Sequence, residues 1–132
     1  MIDYAAAFKA NPAGVLATHD GQIIKTRVFQ FLFADEKKVY FCTNNEKPVY
    51  AQLQANPNVS FCAPGDFSPV VSVNGKAVFT DDMTLKTRAF DENPLLKTIY
   101  NSPENPVFTL FYIDVEEIDT FGFSEGPKSY KL

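Results

Sequence analysis

The sequence predicts a mainly β domain, a small antiparallel β-barrel that carries a few short helices. Three observations lead to this prediction. Most of the apolar segments are short and rich in β-branched and aromatic residues, which favours strands over helices. Turn-forming residues separate these segments at close intervals, so that neighbouring strands can pair antiparallel. Only short stretches show the three- and four-residue spacing of a helix. Short strands joined by tight turns, with few helices, are typical of small barrels.

The chain is long enough to form one core without metal or disulfide cross-links. It has 132 residues and a mass of 14.8 kDa. At this size, folding buries roughly two-thirds of the surface of the unfolded chain. Hydrophobic residues make up 45% and charged residues 21%, which are ordinary globular values and exclude a largely disordered protein. We therefore expect a single domain over residues 1–132.

The charge and the hydropathy of the chain argue against a nucleic-acid partner, a membrane helix and a secretory signal. Twelve Lys and Arg residues stand against 16 Asp and Glu, which gives a net charge of −4. Nucleic-acid binding needs a basic surface, so we expect no nucleic-acid partner. No run of 18 apolar residues occurs, so no membrane helix is predicted. The first ten residues have no basic start and no long apolar stretch, unlike a secretory signal, and the predicted location is the cytoplasm.

The first third of the chain predicts a helix followed by strands. Tyr4 and Phe8 are four residues apart, as on one helix face, and Asn11-Pro12 is expected to end that helix. Asp20-Gly21 marks a turn. The predicted elements are a helix over residues 2–10, strands over 15–18, 22–33 and 38–43, and a turn over 34–37.

The rest of the chain alternates helices and strands. Asn44 or Asn45 is predicted to cap a second helix, whose apolar face consists of Val49, Tyr50 and Leu53. The predicted helices lie near residues 46–55, 82–91 and 94–100, and the strands lie over 59–63, 70–80, 107–115 and 118–123.

Two local features of these later segments are expected. Asn74-Gly75 interrupts an apolar strand, so a bulge is predicted there. In the helix over 94–100, Leu95, Leu96 and Ile99 are predicted to point inward.

Histidine and cysteine are too scarce for most metal and triad chemistry. His19 is the single histidine, and it falls in a turn-like stretch where a surface role is expected. The only cysteines are Cys42 and Cys62, which lie in apolar strand-like segments and are predicted to be buried, reduced thiols. No zinc set can be assembled at the usual spacings. We predict no metal site and assign no catalytic residue.

A candidate anion site lies where a predicted strand meets a helix. The second helix begins just after Thr43, and free N–H groups at a helix start attract anions. Lys47 lies in the first turn, where the helix dipole disfavours a cation unless an anion is bound. Arg27, on the neighbouring strand, can reach the same point. The alternative is a surface lysine, an ordinary cap and an arginine that extends to solvent.

Four motifs in order resemble the pyridoxamine 5′-phosphate oxidase-like family of FMN-binding split barrels. The resemblance covers residues 10–125 and includes its small bacterial members, some of which are called general stress proteins. The segment 108–112 resembles those small members as well. The four motifs are Arg27-Val28-Phe29-Gln30, Tyr40-Phe41-Cys42-Thr43-Asn44, the segment 52–60 and the segment 73–77.

The resemblance implies an antiparallel Greek-key split β-barrel with short peripheral helices, FMN as cofactor, and a homodimer with the flavin site at the subunit interface. Residues 27–30 would run beside the isoalloxazine ring, while Thr43, Asn44 and Lys47 would hold the ribityl chain and the phosphate. The strand over 70–73 would come from the second subunit. The implied cofactor-binding set is Arg27, Val28, Phe29, Gln30, Cys42, Thr43, Asn44 and Lys47.

The chain departs from true pyridoxamine phosphate oxidases at three places. Pro48 and Val49 stand where those enzymes have two adjacent basic residues, and Val70 stands near their partner-strand glutamine. Their Trp- and Arg-containing substrate segment has no counterpart in residues 125–132. These departures predict a weaker hold on the phosphate and argue against a vitamin B6 substrate.

The leading interpretation is an FMN-dependent oxidoreductase with an unknown substrate and electron donor. A flavin supplies the redox chemistry, so the scarcity of histidine is no objection. The alternative is a non-enzymatic module that holds a flavin or haem for sensing, storage or transfer. An oligonucleotide-binding barrel has the aromatic residues but lacks the positive groove.

Overall fold

The computed structural model describes residues 3–67 and 69–132. Within these residues the chain forms one β-sheet and four short helices. The helices are α1 (Tyr4–Ala10), α2 (Pro48–Ala55), α3 (Met83–Glu92) and α4 (Leu95–Tyr100). The strands are β1 (Ala13–Asp20), β2 (Ile23–Gln30), β3 (Phe33–Asp35), β4 (Lys38–Asn44), β5 (Asn58–Ala63), β6 (Val70–Thr80), β7 (Phe108–Gly122) and β8 (Gly126–Lys131).

The eight strands pair in the order β2-β1-β5-β6-β7-β4-β3, and β8 pairs with β7 outside this path. Every pairing is antiparallel. The predicted antiparallel, mainly β fold with short peripheral helices is confirmed. None of the described helices is long and apolar enough to cross a membrane.

The longest strand, β7, was predicted as two strands, and this is wrong. It runs unbroken over 15 residues because β6 pairs along most of its length. The consecutive polar residues Glu116 and Glu117 do not end it. The Asn74 side-chain amide donates to a carboxylate oxygen of Glu117 across the strands at 3.0 Å, so the charged group has a partner.

The predicted bulge at Asn74-Gly75 is confirmed. Asn74 lies opposite Glu117 and Gly75 lies opposite Val115, so Glu116 has no opposite residue on β6. A Cβ atom added to Gly75 would lie 2.0 Å from the Asp114 carbonyl oxygen. Only glycine allows the two backbones to approach this closely.

The predicted strand over residues 22–33 is wrong at its end. The chain leaves β2 after Gln30 and changes partners over two residues. The Phe31 N–H donates to the Pro12 carbonyl at 2.7 Å, and the Leu32 N–H donates to the Tyr40 carbonyl at 3.0 Å. Residues 33–35 then form the separate strand β3, which pairs with β4.

Several smaller expectations also differ from the structure. β1 is longer than predicted, so His19 lies in a strand opposite Ile24 rather than in a turn. β8 was missed because its Gly126-Pro127 start has the signature of a turn. Cys42 and Cys62 are free but only partly buried. Of the first predicted helix, Ile2 lies outside the described residues.

The helix α3 begins as predicted. The Asp82 carboxylate accepts hydrogen bonds from the N–H groups of Thr84 at 2.9 Å and Leu85 at 3.4 Å. These bonds satisfy backbone donors that the first turn of a helix otherwise leaves unpaired.

The predicted caps of α2 are wrong. The N-cap is Lys47, whose side chain makes no cap hydrogen bond. The Asn44 side-chain oxygen instead accepts from the Glu46 N–H at 2.8 Å, in the turn before the helix. The Asn45 amide donates to the Pro106 carbonyl at 2.9 Å. On the apolar face, Val49 and Leu53 are buried as predicted, and Tyr50 is half-buried.

The apolar side chains form two clusters on opposite sides of β4. One fills the barrel, and Phe41, Phe61 and Phe111 at its centre are fully buried. The other lies outside the barrel, between the sheet and the helices α3 and α4, with Tyr40, Leu96, Tyr100, Phe108 and Leu110 among its members.

Candidate functional site

A cleft of about 430 Å³ opens between β2, β4, the start of α2 and the α3–α4 pair. Its volume is in the range of small-molecule sites. All residues of the predicted cofactor set except Asn44 line it. The lining residues are Arg27, Val28, Phe29, Gln30, Leu32, Cys42, Thr43, Lys47, Val49, Asn93, Leu95, Leu96, Ile99 and Tyr100.

β2 forms one wall of the cleft. Its side chains alternate, with Arg27 and Phe29 half-buried and Val28 and Gln30 exposed. The Phe29 ring packs edge-on against Phe111, with ring centroids 5.8 Å apart, which ties this wall to the barrel core.

A network of neutral hydrogen bonds holds the Arg27 guanidinium. It donates to the Gln52 side-chain oxygen at 2.8 Å and to the Thr18 hydroxyl oxygen at 2.9 Å. The Thr18 hydroxyl in turn donates to Gln52 at 3.2 Å. Thr18 and Gln52 are both buried. The network fixes the direction of the arginine without neutralising its charge.

The two arginines of the chain have opposite environments. Arg88 bonds two carboxylates, that of Asp35 at 2.8 Å and that of Glu92 at 2.5 Å. Arg27 forms no ion pair with any residue that the structure describes, and the same holds for Lys47. No lining residue of the cleft is acidic. The cleft therefore carries two cations without an internal counter-charge.

At this end of the cleft, the Lys47 side chain rather than the backbone N–H groups of α2 is the main group available to an anion. Pro48, the first residue of α2, has no N–H group, and the Tyr50 N–H already donates to the Lys47 carbonyl at 3.1 Å. Few backbone donors are left for an anion, so side chains must supply most of its contacts.

Cys42 lies partly buried at the floor of the cleft. Burial raises the pKa of the Cys42 thiol to about 12, and nearby Lys47 lowers it only slightly. Burial, with a smaller contribution from Cys42, likewise raises the pKa of Tyr100 to about 12. Both groups therefore keep their protons at neutral pH, and Cys42 is not a reactive thiolate.

The wall opposite β2 was missed by the sequence analysis. It consists of Asn93 and four residues of α4. Leu95 and Ile99 were predicted to point inward, which is wrong: they are 61% and 60% exposed, and only Leu96 of the predicted three is buried. Apolar spacing gave the correct helix but could not distinguish a buried face from the rim of a cleft.

Other sequence candidates lie away from the cleft. His19, on β1, does not line it, and the Asn44 side chain is engaged in the turn before α2. Within residues 3–67 and 69–132, no group of three or more His, Cys, Asp or Glu side chains is placed to hold a metal ion.

Comparison with known proteins relates the chain to a family. The family model described as pyridoxamine 5′-phosphate oxidase matches residues 2–122. No curated protein sequence matches the chain.

Solved structures show a similar fold. A NimC/NimA family protein from Clostridium acetobutylicum is 26% identical, with a TM-score of 0.83 over 95% of this chain and 88% of the other. General stress protein 26 from Bacillus anthracis is 22% identical, with a TM-score of 0.79 over 99% of this chain and 100% of the other. A heme binding protein from Mycobacterium smegmatis is 18% identical, with a TM-score of 0.74 over 96% of this chain and 56% of the other.

Proposed function

The chain belongs to the pyridoxamine 5′-phosphate oxidase family, and we propose that it is an FMN-binding, oxidoreductase-type protein that acts as a homodimer. The observation that carries the proposal is the pair of unpaired cations, Arg27 and Lys47, in a cleft whose lining has no acidic residue. Arg27 is half-buried, and a cation removed from water without a charged partner is costly, a cost that a bound anion lowers. Lys47 is exposed and adds a second positive charge at the mouth of the cleft.

The lining residues fit a flavin phosphate. Arg27 has further N–H donors beyond the two that bind Thr18 and Gln52, and a planar guanidinium suits phosphate oxygens. Lys47 supplies a second positive charge, and Thr43 supplies a hydroxyl. The apolar side chains of Phe29, Leu32 and Val49 offer contact area for an aromatic ring system.

When bound, FMN supplies hydride or electron transfer, and the protein supplies binding and orientation. The cleft side chains match that division. Cys42 and Tyr100 keep their protons because burial raises the pKa of each to about 12. Over the physiological range these groups therefore bind and orient a ligand rather than exchange protons with it.

A second subunit would complete the site. The outward face of β2 carries Ile24 and Val28, which are 58% and 73% exposed. Val28 also lines the cleft, so a partner that covers this apolar face would also wall the cleft. Size-exclusion chromatography with light scattering should give about twice the 14.8 kDa chain mass. A monomer that binds FMN tightly would contradict the dimer.

The alternative function is a non-enzymatic module that holds a flavin or haem. It has support from the fold shared with the Mycobacterium smegmatis protein, whose description is heme binding. His19, the one histidine of the chain, lies outside the cleft, which disfavours histidine ligation of a haem iron there. The cytoplasmic location stays a prediction.

The visible spectrum of the purified protein tests these functions. Oxidised flavin bands, with saturable FMN binding by the apoprotein, would support the proposal, and a Soret band would support the haem alternative. A colourless protein that binds no FMN would overturn the proposed function. Reduction of the bound flavin by NADH or NADPH would then separate an oxidoreductase from a storage or sensing module.

A further inference from the structure

The side of the cleft formed by α4 differs chemically from the side formed by β2 and α2. Arg27 and Lys47 supply the charged side chains of the lining, whereas none of the lining residues from α4 is charged. At the α4 end, the exposed apolar side chains of Leu95 and Ile99 are four residues apart and so lie on the same face of the helix. An apolar surface with one polar group is typical of a small-molecule site.

The polar residues on this side are Asn93, whose side-chain amide donates to the Ala89 carbonyl at 3.0 Å, and Tyr100, which is held in place by its neighbours. The Tyr100 carbonyl oxygen accepts hydrogen bonds from the Asn105 side-chain amide at 2.7 Å and from the Ser102 N–H at 2.9 Å. Its ring packs edge-on against Phe108, with ring centroids 5.0 Å apart. The orientation of the side chain is therefore set by the protein before any ligand arrives.

The Tyr100 hydroxyl has no hydrogen-bond partner among the residues that the structure describes, although the rest of the residue is buried. None of the unpartnered side-chain oxygens or nitrogens in the described chain is fully enclosed, so this hydroxyl keeps some contact with solvent, and Tyr100 is a lining residue of the cleft. At neutral pH the group is an O–H donor, because burial raises the pKa of Tyr100 to about 12. A tyrosine hydroxyl near apolar surface usually has a partner, and here a ligand can supply it.

We infer that the α4 side of the cleft binds the substrate, and that this substrate is an uncharged, largely apolar compound with an oxygen that accepts a hydrogen bond from Tyr100. Leu95 and Ile99 contact its apolar part, and the hydroxyl sets its orientation. A charged substrate is disfavoured because the α4 side of the cleft carries no charged side chain. The inference rests on the proposed function, because it assigns FMN to the opposite side of the same cleft.

Two redox-inert probes of similar shape test this assignment on the FMN-loaded protein. The probe 2-acetylnaphthalene carries an accepting oxygen, and 2-ethylnaphthalene does not. Calorimetry and the change in bound-flavin absorbance report their binding. We expect Tyr100→Phe to weaken the ketone about 3- to 10-fold, the range for one neutral hydrogen bond, and to leave the hydrocarbon and FMN unchanged. Ile99→Ser should weaken both probes together.

The matched control is Tyr112→Phe, which removes a hydroxyl from a half-buried tyrosine that does not line the cleft. It should change neither probe. Equal weakening of both probes by Tyr100→Phe, or no binding of either probe to a protein that binds FMN normally, would overturn the inference alone. Weaker FMN binding in Tyr100→Phe would assign Tyr100 to the flavin and also overturn it. A wild-type protein that binds no FMN would overturn the proposed function, and the inference with it.

Discussion

The two faces of β4 show how one strand can serve both stability and a ligand site. Phe41 points into the barrel, where it is fully buried against Phe61 and Phe111. Cys42, the next residue, points to the opposite side and lies half-buried at the floor of the cleft. The barrel face is filled by side chains alone, whereas the helix face leaves a space. The difference indicates that the barrel face of β4 serves the stability of the fold, whereas the opposite face leaves room for the proposed ligand.

The largest expected effect is on the barrel face. Phe41→Ala should lower the free energy of unfolding by about 3–5 kcal/mol, because it leaves a cavity among aromatic rings. Cys42→Ala, one residue along, should cost about 1 kcal/mol or less, because it removes one partly exposed sulfur. Urea or guanidinium unfolding of both variants measures the contrast. Equal losses would show that the two faces of β4 do not differ in this way.

The next largest effect is expected on FMN affinity, at the basic end of the cleft. Lys47→Glu should weaken FMN by about 1.5–3 kcal/mol, the scale of a charge-assisted hydrogen bond, and leave riboflavin, which lacks the phosphate, nearly unchanged. Titration of the apoprotein with each flavin measures the two affinities. The control Lys97→Glu makes the same charge change at an exposed residue of α4 outside the cleft lining.

The comparison of the two flavins decides what Lys47 does. Unaltered FMN and riboflavin affinities in Lys47→Glu would show that the proposed phosphate site is misplaced. Equal weakening of both flavins would assign Lys47 a structural role.

A smaller loss of stability is expected from a change at the start of α3, one of the two helices that pack outside the barrel. Asp82→Ala removes the two cap hydrogen bonds and should lower the free energy of unfolding by about 1 kcal/mol. Asp91→Ala, at an exposed position near the end of the same helix, is the control and should be neutral or slightly stabilising, since a negative charge is unfavourable there. A larger loss in Asp91→Ala than in Asp82→Ala would contradict the role of the cap.

The last prediction concerns the pH dependence of stability. The free energy of unfolding should change little with pH near neutrality and fall only at alkaline pH. Burial raises the pKa of Cys42 from 9.0 to about 12 and that of Tyr100 from 10.0 to about 12. The folded state therefore keeps protons that the unfolded chain releases. Their contribution to stability is complete below about pH 9 and is lost as the pH rises towards 12. Unfolding free energies measured between about pH 8 and 11.5 should fall accordingly.

The double variant Cys42→Ala, Tyr100→Phe checks the cause of that fall, because it removes both titrating groups. Its stability should decrease less steeply with pH than that of the wild type. An equally steep decrease would place the cause outside the cleft floor.

Much of the fold follows from local patterns in the sequence. The helix predicted near residues 82–91 is α3, and Asn74-Gly75 within a strand predicted the bulge of β6. The β2 and β4 parts of the cleft also came from sequence, because the family resemblance assigned Arg27 and Thr43 to one site. Such features depend on nearby residues or on spacing that survives as a motif.

Other features depended on distant contacts. The predicted break in β7 was wrong because its polar residues find partners on β6, and the end of β2 was wrong because Leu32 changes partners to Tyr40. The role of Gln52 was not foreseen, since a polar residue in a predicted helix gives no sign that it will meet Arg27.

The sequence by itself determined the mainly antiparallel architecture, most of the strands and helices, and the residue types of the predicted anion site, because side-chain periodicity, caps and turns act over a few neighbouring residues. Only the tertiary structure decided that α4 forms a wall of the cleft, that Leu95 and Ile99 stay exposed at its rim, and that Tyr100 lines it. The physical reason is that an apolar pattern shows only which face of a helix is hydrophobic. What that face meets depends on how elements far apart in the chain pack against one another.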